Sequence, residues 1–224
     1  MALLITALGQ FQSIFIRLPY KIESQQYKTI LNYLAKDESN GVILAPDDLM
    51  IYLFTIYTSH DVFYARDFLL VNMSVSHMKD ALFIYSYLNK NIRNNFVAFY
   101  TNIMDNSVTK GFYRESDWFY ADIYQILDEY LSKADKYNSL LENKNNLVSL
   151  GKRRHLLAGL VAEYNKRIPD SHTLACLLAE YNVKYIVWDH LAHSEWDLSV
   201  LKNSITPVMH SGEIFLYSFA PPNC

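Results

Sequence analysis

Glycine is scarce in this sequence: six residues in 224, against eighteen tyrosines. Few glycines leave few places where backbone can approach a phosphate closely. No GxGxxG or GxxxxGK[ST] pattern occurs, so dinucleotide and P-loop sites lack their signal. HExxH and GxSxG are missing too, which removes the zincin and serine-hydrolase signatures. Cysteine is scarcer still. Cys176 and Cys224 form neither a disulfide framework nor a metal pair by count or spacing, and Cys176 reads as a core residue, so the redox compartment stays open. An excess of positive charge is also lacking: 20 basic side chains face 23 acidic ones, for a net charge of -3. Nucleic acid is therefore not an expected partner. Long hydrophobic runs are lacking as well. The most apolar one, Ala2 to Leu8, is interrupted by Thr6 and falls far short of the roughly 20 residues that cross a bilayer. With no basic flank and no small-residue cleavage site, it is not a signal peptide.

What the chain does have is apolar content, 51% of residues, enough for one sizeable core. Residues 1–20 read either as a buried first helix or as the end of an apolar, transmembrane helix. Residues 21–224 read as a single α/β domain. Tyr27, Ile30, Leu31 and Leu34 recur at helical spacing, and the helix ends near KDESNG, with Asn40-Gly41 as a turn. GVILAP follows as a doubly buried strand, Asp47 or Asp48 caps the helix through LMIYLFTIY, and DVFYA at 61–65 is a second strand. Strand, helix and strand at this spacing make a βαβ unit.

Residues 75 to about 167 read as a large helical insertion. One helix starts at Ser74 or Ser76, another runs through Phe119 to Leu131, and a third carries Leu156, Leu157, Leu160, Val161 and Tyr164 on one face, with Glu163 and Arg167 outside. Asp170 or Ser171 then caps a helix that Asn182 ends in the left-handed conformation, leading into the strand VKYIVW. TPVMH and EIFLYSF flank Ser211-Gly212 as a C-terminal β-hairpin. The expected fold is α/β: a small mixed, mostly parallel, Rossmann-like sheet with helices on both faces.

That order, carried by ITALGQFQSIFIRLPY, YKTILNYLAKDESNGVILAP, FTIYTSHDVFYA, HTLACLLAEYNVKYIVWDH and GEIFLYSF, resembles the C-terminal extracytoplasmic domain of polytopic membrane proteins related to GT-C type glycosyltransferases. The resemblance implies a membrane-associated, extracytoplasmic location and an accessory or binding role. Its partner is then the membrane or the transmembrane part of the same protein, with a lipid-linked sugar as a ligand of the whole. Neither a catalytic residue nor a cofactor carries over, because the membrane part that holds the chemistry in such enzymes has no counterpart here.

Ligand-binding candidates lie where the loops leave the carboxyl ends of the parallel strands. They are Asp47 and Asp48 in APDD, and Asp189, His190 and His193 in WDHLAHSEWD, where Glu195 and Asp197 add further oxygen. Two histidines three apart can share a metal if the segment turns helically, but a solvated loop needs none, and no metal site is assigned. The aspartates of APDD serve equally well as helix caps. GKRRH places Lys152, Arg153 and Arg154 in one basic cluster that matches phosphate headgroups, or simply charges the start of an exposed helix. Asn72-Met73-Ser74 fits the N-glycosylation pattern, which is too short to locate the protein. The competing reading is a stand-alone soluble enzyme or small-ligand binder that uses the carboxyl-edge loops. A third is an interaction module whose helical part offers tyrosines to a partner.

Overall fold

The apolar stripe Tyr27, Ile30, Leu31 and Leu34 is buried on one face of a helix over residues 25–34, which we call α1. The structure, a computed structural model, describes residues 25–46, 48–63, 74–99 and 150–224, with the side chains of 48–52, 75 and 150–157 set aside. The N-terminal segment, the expected helix at 119–131 and Asn72 lie outside the described residues. After α1 the chain turns at Gly41, where an added Cβ would run into the aliphatic stem of Lys184. It then enters β1 (Val42–Leu44), α2 (Asp48–Tyr57) and β2 (Asp61–Val62). β2 lies parallel to β1, as expected of a βαβ unit, but it is shorter than DVFYA.

β3 (Val183–Asp189) adds in parallel on the other side of β1. β5 (Ile214–Phe219) pairs antiparallel with β3, and β4 (Ile205–Ser211) closes the edge antiparallel to β5. The order is β2-β1-β3-β5-β4, a mixed five-stranded sheet with a parallel core and the hairpin that the sequence announces. Its two tight points are left-handed: Asn182 at φ 55°, just before β3, and Gly212 at φ 60°, in the hairpin turn. Ile43, Ala45, Val187, Ile214 and Leu216 form a core with the α1 stripe and with Leu53 and Phe54 of α2. Each of the large aliphatic or phenylalanine side chains removed from water here is worth about 1.5–3 kcal/mol. This sheet with α1 and α2 is one of two compact units.

The second unit is helical in its described parts. α3 (Val75–Leu88) starts at Ser74, whose hydroxyl accepts the His77 N–H at 3.2 Å. Its buried residues Met78, Asp80, Ala81, Leu82, Phe83, Ile84 and Tyr85 go round the helix, so α3 is covered on more than one face. Asn89 caps the short α4 (Lys90–Arg93). α5 (Leu150–Arg167) follows, and Asp170 rather than Ser171 caps α6 (Ser171–Glu180), taking the Thr173 N–H at 2.8 Å. Phe96 stacks on Tyr164 at 4.7 Å, and Phe83 meets the same ring edge-on at 5.5 Å.

Two sequence expectations change in this unit. Glu163 and Arg167 do not simply line the solvent face of α5. Glu163 takes Lys79 at 2.7 Å, and Arg167 grips the buried Asp80 through two bonds of 3.0 Å. Cys176 is not an inert core residue either: it is bonded to Cys224, with Cα atoms 5.7 Å apart, within the usual disulfide range. A separation of 48 residues left no trace of that pairing in the sequence.

Candidate functional site

The carboxyl edge of the parallel strands is where an α/β sheet offers ligands its loops. Here β3 ends in Asp189, and residues 190–195 make a turn. Asp189 is buried and its carboxylate is fully engaged. One oxygen accepts the backbone N–H groups of Leu191 and Ala192 at 3.0 and 2.9 Å. The other accepts the Tyr27 hydroxyl of α1 at 3.2 Å. The Asp189 carbonyl closes one helical turn by accepting the His193 N–H at 2.9 Å. Asp189 therefore organises the loop from inside. His190 is exposed, packed edge-on against Trp188 at 4.8 Å, with Glu213 at 3.6 Å. His193 contributes its carbonyl, which accepts the Trp188 indole N–H at 2.8 Å. Although the segment turns helically, among the described residues no group of three or more His, Cys, Asp or Glu gathers to hold a metal. Asp47 lies outside the described residues, and α2 begins at Asp48. Asp197 sits in the helical unit, where it caps a 3-10 turn (Leu198–Leu201) and binds Arg93 at 2.8 Å.

The amino edge holds a cluster the sequence did not announce. Asp37, just past α1, accepts the Ser39 N–H at 3.0 Å and the Ser39 hydroxyl on one oxygen. Its other oxygen accepts the Tyr185 hydroxyl at 2.7 Å. The Ser59 hydroxyl donates to the Asp37 carbonyl at 3.0 Å. Next to this carboxylate lies His60, at the entry to β2, with its ring fully buried and Nε2 3.6 Å from Asp37. Neither ring nitrogen has a hydrogen-bond partner among the described residues, and the ring lies edge-on to Tyr185 at 5.3 Å.

The electrostatics follow from these contacts. The Ser39 hydroxyl, then Tyr185 and the Ser39 N–H, hold the Asp37 carboxyl well below its ordinary range. Burial, then the bond to Asp37, pushes the Tyr185 phenol up. Burial lowers His60, and the Asp37 charge and the Gly41 carbonyl oppose it only in part. His60 is therefore a neutral imidazole beside a fixed carboxylate. The ring has no exposed atom, and the cluster ties α1 to the starts of β2 and β3. The segments meeting there are far apart in the chain, Asp37 and Tyr185 by 148 residues, so only the fold reveals them.

In the helical unit a cleft of about 440 Å³ opens where α3, α5 and the start of α6 meet. Lys79, Asp80, Phe83, Glu163, Lys166 and Arg167 line it, and its two ion pairs, Lys79–Glu163 and Arg167–Asp80, run across it. Lys152, Arg153 and Arg154 fall in the first turns of α5, with side chains outside the described set. Among the described residues no helix is long and apolar enough to cross a membrane. No family model, no curated protein and no solved structure matches this chain.

Proposed function

We propose that this chain is an extracytoplasmic domain of a glycosyltransferase-like integral membrane protein, with a binding or scaffolding role and no catalysis of its own. The observation that carries the reading is the Cys176–Cys224 bond. Disulfides form and persist in oxidising compartments and are rare where thiols are kept reduced. The polar groups support it from a second side. Asp189, the acid best placed at the carboxyl edge, already accepts three hydrogen bonds. A ligand that took Asp189 over as its main contact would compete with these loop and helix bonds.

In this reading the sheet is a small Rossmann-like platform, and residues 75–167 are a helical insertion into it. The apolar residues before α1 belong to the membrane part, and Lys152, Arg153 and Arg154 meet anionic headgroups or a lipid-linked phosphate. Tagging the native gene at its C-terminus and fractionating the cells tests the proposal. A product that stays with membranes after a high-salt wash is expected. A product of this length in the soluble fraction would overturn it and return attention to the 189–197 loop.

A further inference from the structure

We infer that the carboxyl edge of the sheet is the membrane-facing end of this unit, and that the loop after β3 presents Leu191 to the apolar boundary of the bilayer. The inference rests on the reading above and adds an orientation and a contact residue to it. Two hydrogen bonds fix the direction of α1. Near its start, Tyr27 reaches Asp189 at the end of β3. Just past its end, Asp37 receives Tyr185 near the beginning of β3. α1 therefore runs antiparallel to β3 and starts at the carboxyl edge. Before it the sequence reads MALLITALGQFQSIFIRL and then PYKIES.

The loop at the same edge carries a large apolar side chain in an unusual state. Leu191 is 78% exposed, the highest value among the large hydrophobic residues whose side chains are described. It is not exposed for want of structure, because the Asp189 carboxylate holds the Leu191 and Ala192 N–H groups, the His190 N–H donates to the Glu213 carbonyl at 2.9 Å, and Trp188 ties down His193. A fixed turn with leucine at its tip suits shallow insertion, since little conformational freedom remains to be lost on docking.

At the same end of β3, Trp188, His190 and Phe215 pack on one another, with Trp188 to Phe215 at 6.4 Å. Aromatic groups with one apolar and one polar end are the residues that favour the headgroup level of a bilayer. No lysine or arginine lies in the 190–195 turn, and His190 has Glu213 at 3.6 Å, so the contact proposed is apolar rather than a basic patch on anionic lipid. The partner it fits is a zwitterionic lipid surface, and high salt should not release it.

The test uses the full chain reconstituted with phosphatidylcholine vesicles that carry brominated acyl chains, which quench tryptophan at short range. Leu191→Trp is compared with Ile56→Trp, each relative to the unaltered protein. Ile56 is a suitable control, being 70% exposed on the last turn of α2, at the opposite edge where the chain approaches β2. The added emission of L191W should be quenched several-fold more than that of I56W, with no change at high salt. A chain that floats with vesicles but shows equal quenching at both positions, or stronger quenching of I56W, overturns the orientation while leaving the membrane-protein reading intact. A chain that does not associate with vesicles at all overturns both.

Discussion

The two edges of the parallel sheet are fastened by the same device used in opposite directions. At the carboxyl edge a tyrosine of α1 donates to an aspartate of β3, and at the amino edge a tyrosine of β3 donates to the aspartate that follows α1. The surroundings differ. Asp189 is buried, and its remaining acceptor capacity goes to two N–H groups of its own loop. Asp37 is partly exposed, takes Ser39 on one oxygen, and faces a buried histidine whose ring nitrogens have no hydrogen-bond partner among the described residues. The edge where such folds bind ligands is thus the one whose acid is committed to structure. At the edge that keeps a titratable pair, the histidine ring is closed to solvent while the carboxylate is partly exposed. This contrast is what the proposed scaffolding role draws on besides the Cys176–Cys224 bond.

The largest effect should come from removing the carboxylate of the closed edge. Asp189→Ala strands the Tyr27 hydroxyl and two loop N–H groups, and a loss of about 2–4 kcal/mol is expected in urea unfolding. Asp37→Ala should lose only about 1 kcal/mol, because its donors are Ser39, at the surface, and Tyr185, which is only partly buried. Equal losses at the two sites would break the comparison. If Asp189 instead bound a ligand at its own structural expense, Asp189→Ala would leave stability unchanged or raise it.

A smaller effect separates the edges by pH. The folded state holds His60 below its ordinary 6.5, so the unfolded chain takes up a proton first as the solution is acidified. That contribution is present above 6.5 and is lost as pH falls from there toward the lowered value. Asp37, lowered from 3.8, acts in a second window: its contribution is present above 3.8 and disappears only in stronger acid. Replacing the unpaired imidazole by an apolar ring, His60→Phe, should therefore remove the first loss and leave the second, a change of about 1 kcal/mol or less near pH 5. A wild-type profile that is already flat from neutrality down to the carboxylate range would contradict the buried, neutral assignment.

Much of the sheet unit was legible because its signals are local. The stripe from Tyr27 to Leu34 predicted both the helix and its buried face. Asn182 and Ser211-Gly212 marked the turns where positive φ is found or adjoins. The order of strand, helix and strand implied parallel pairing, and the hairpin implied the antiparallel edge. What could not be read is non-local. Asp189 looked like a free acid in a polar loop because its chief side-chain partner, Tyr27, lies 162 residues away. His60 stood in the polar run Thr58-Ser59-His60-Asp61 with nothing to reveal its burial. Glu163 and Arg167 looked like a solvent pair until α3 supplied Lys79 and Asp80. Cysteine count alone could not distinguish two isolated thiols from one bridge.

The state of Cys176 and Cys224 in the living cell tests the central claim most directly. Cells are quenched in acid, free thiols are blocked, and the tryptic peptides are read by mass. An extracytoplasmic domain predicts one peptide pair joined through Cys176 and Cys224, separable only after reduction. Both cysteines recovered as blocked thiols, in protein that is otherwise folded, would contradict it.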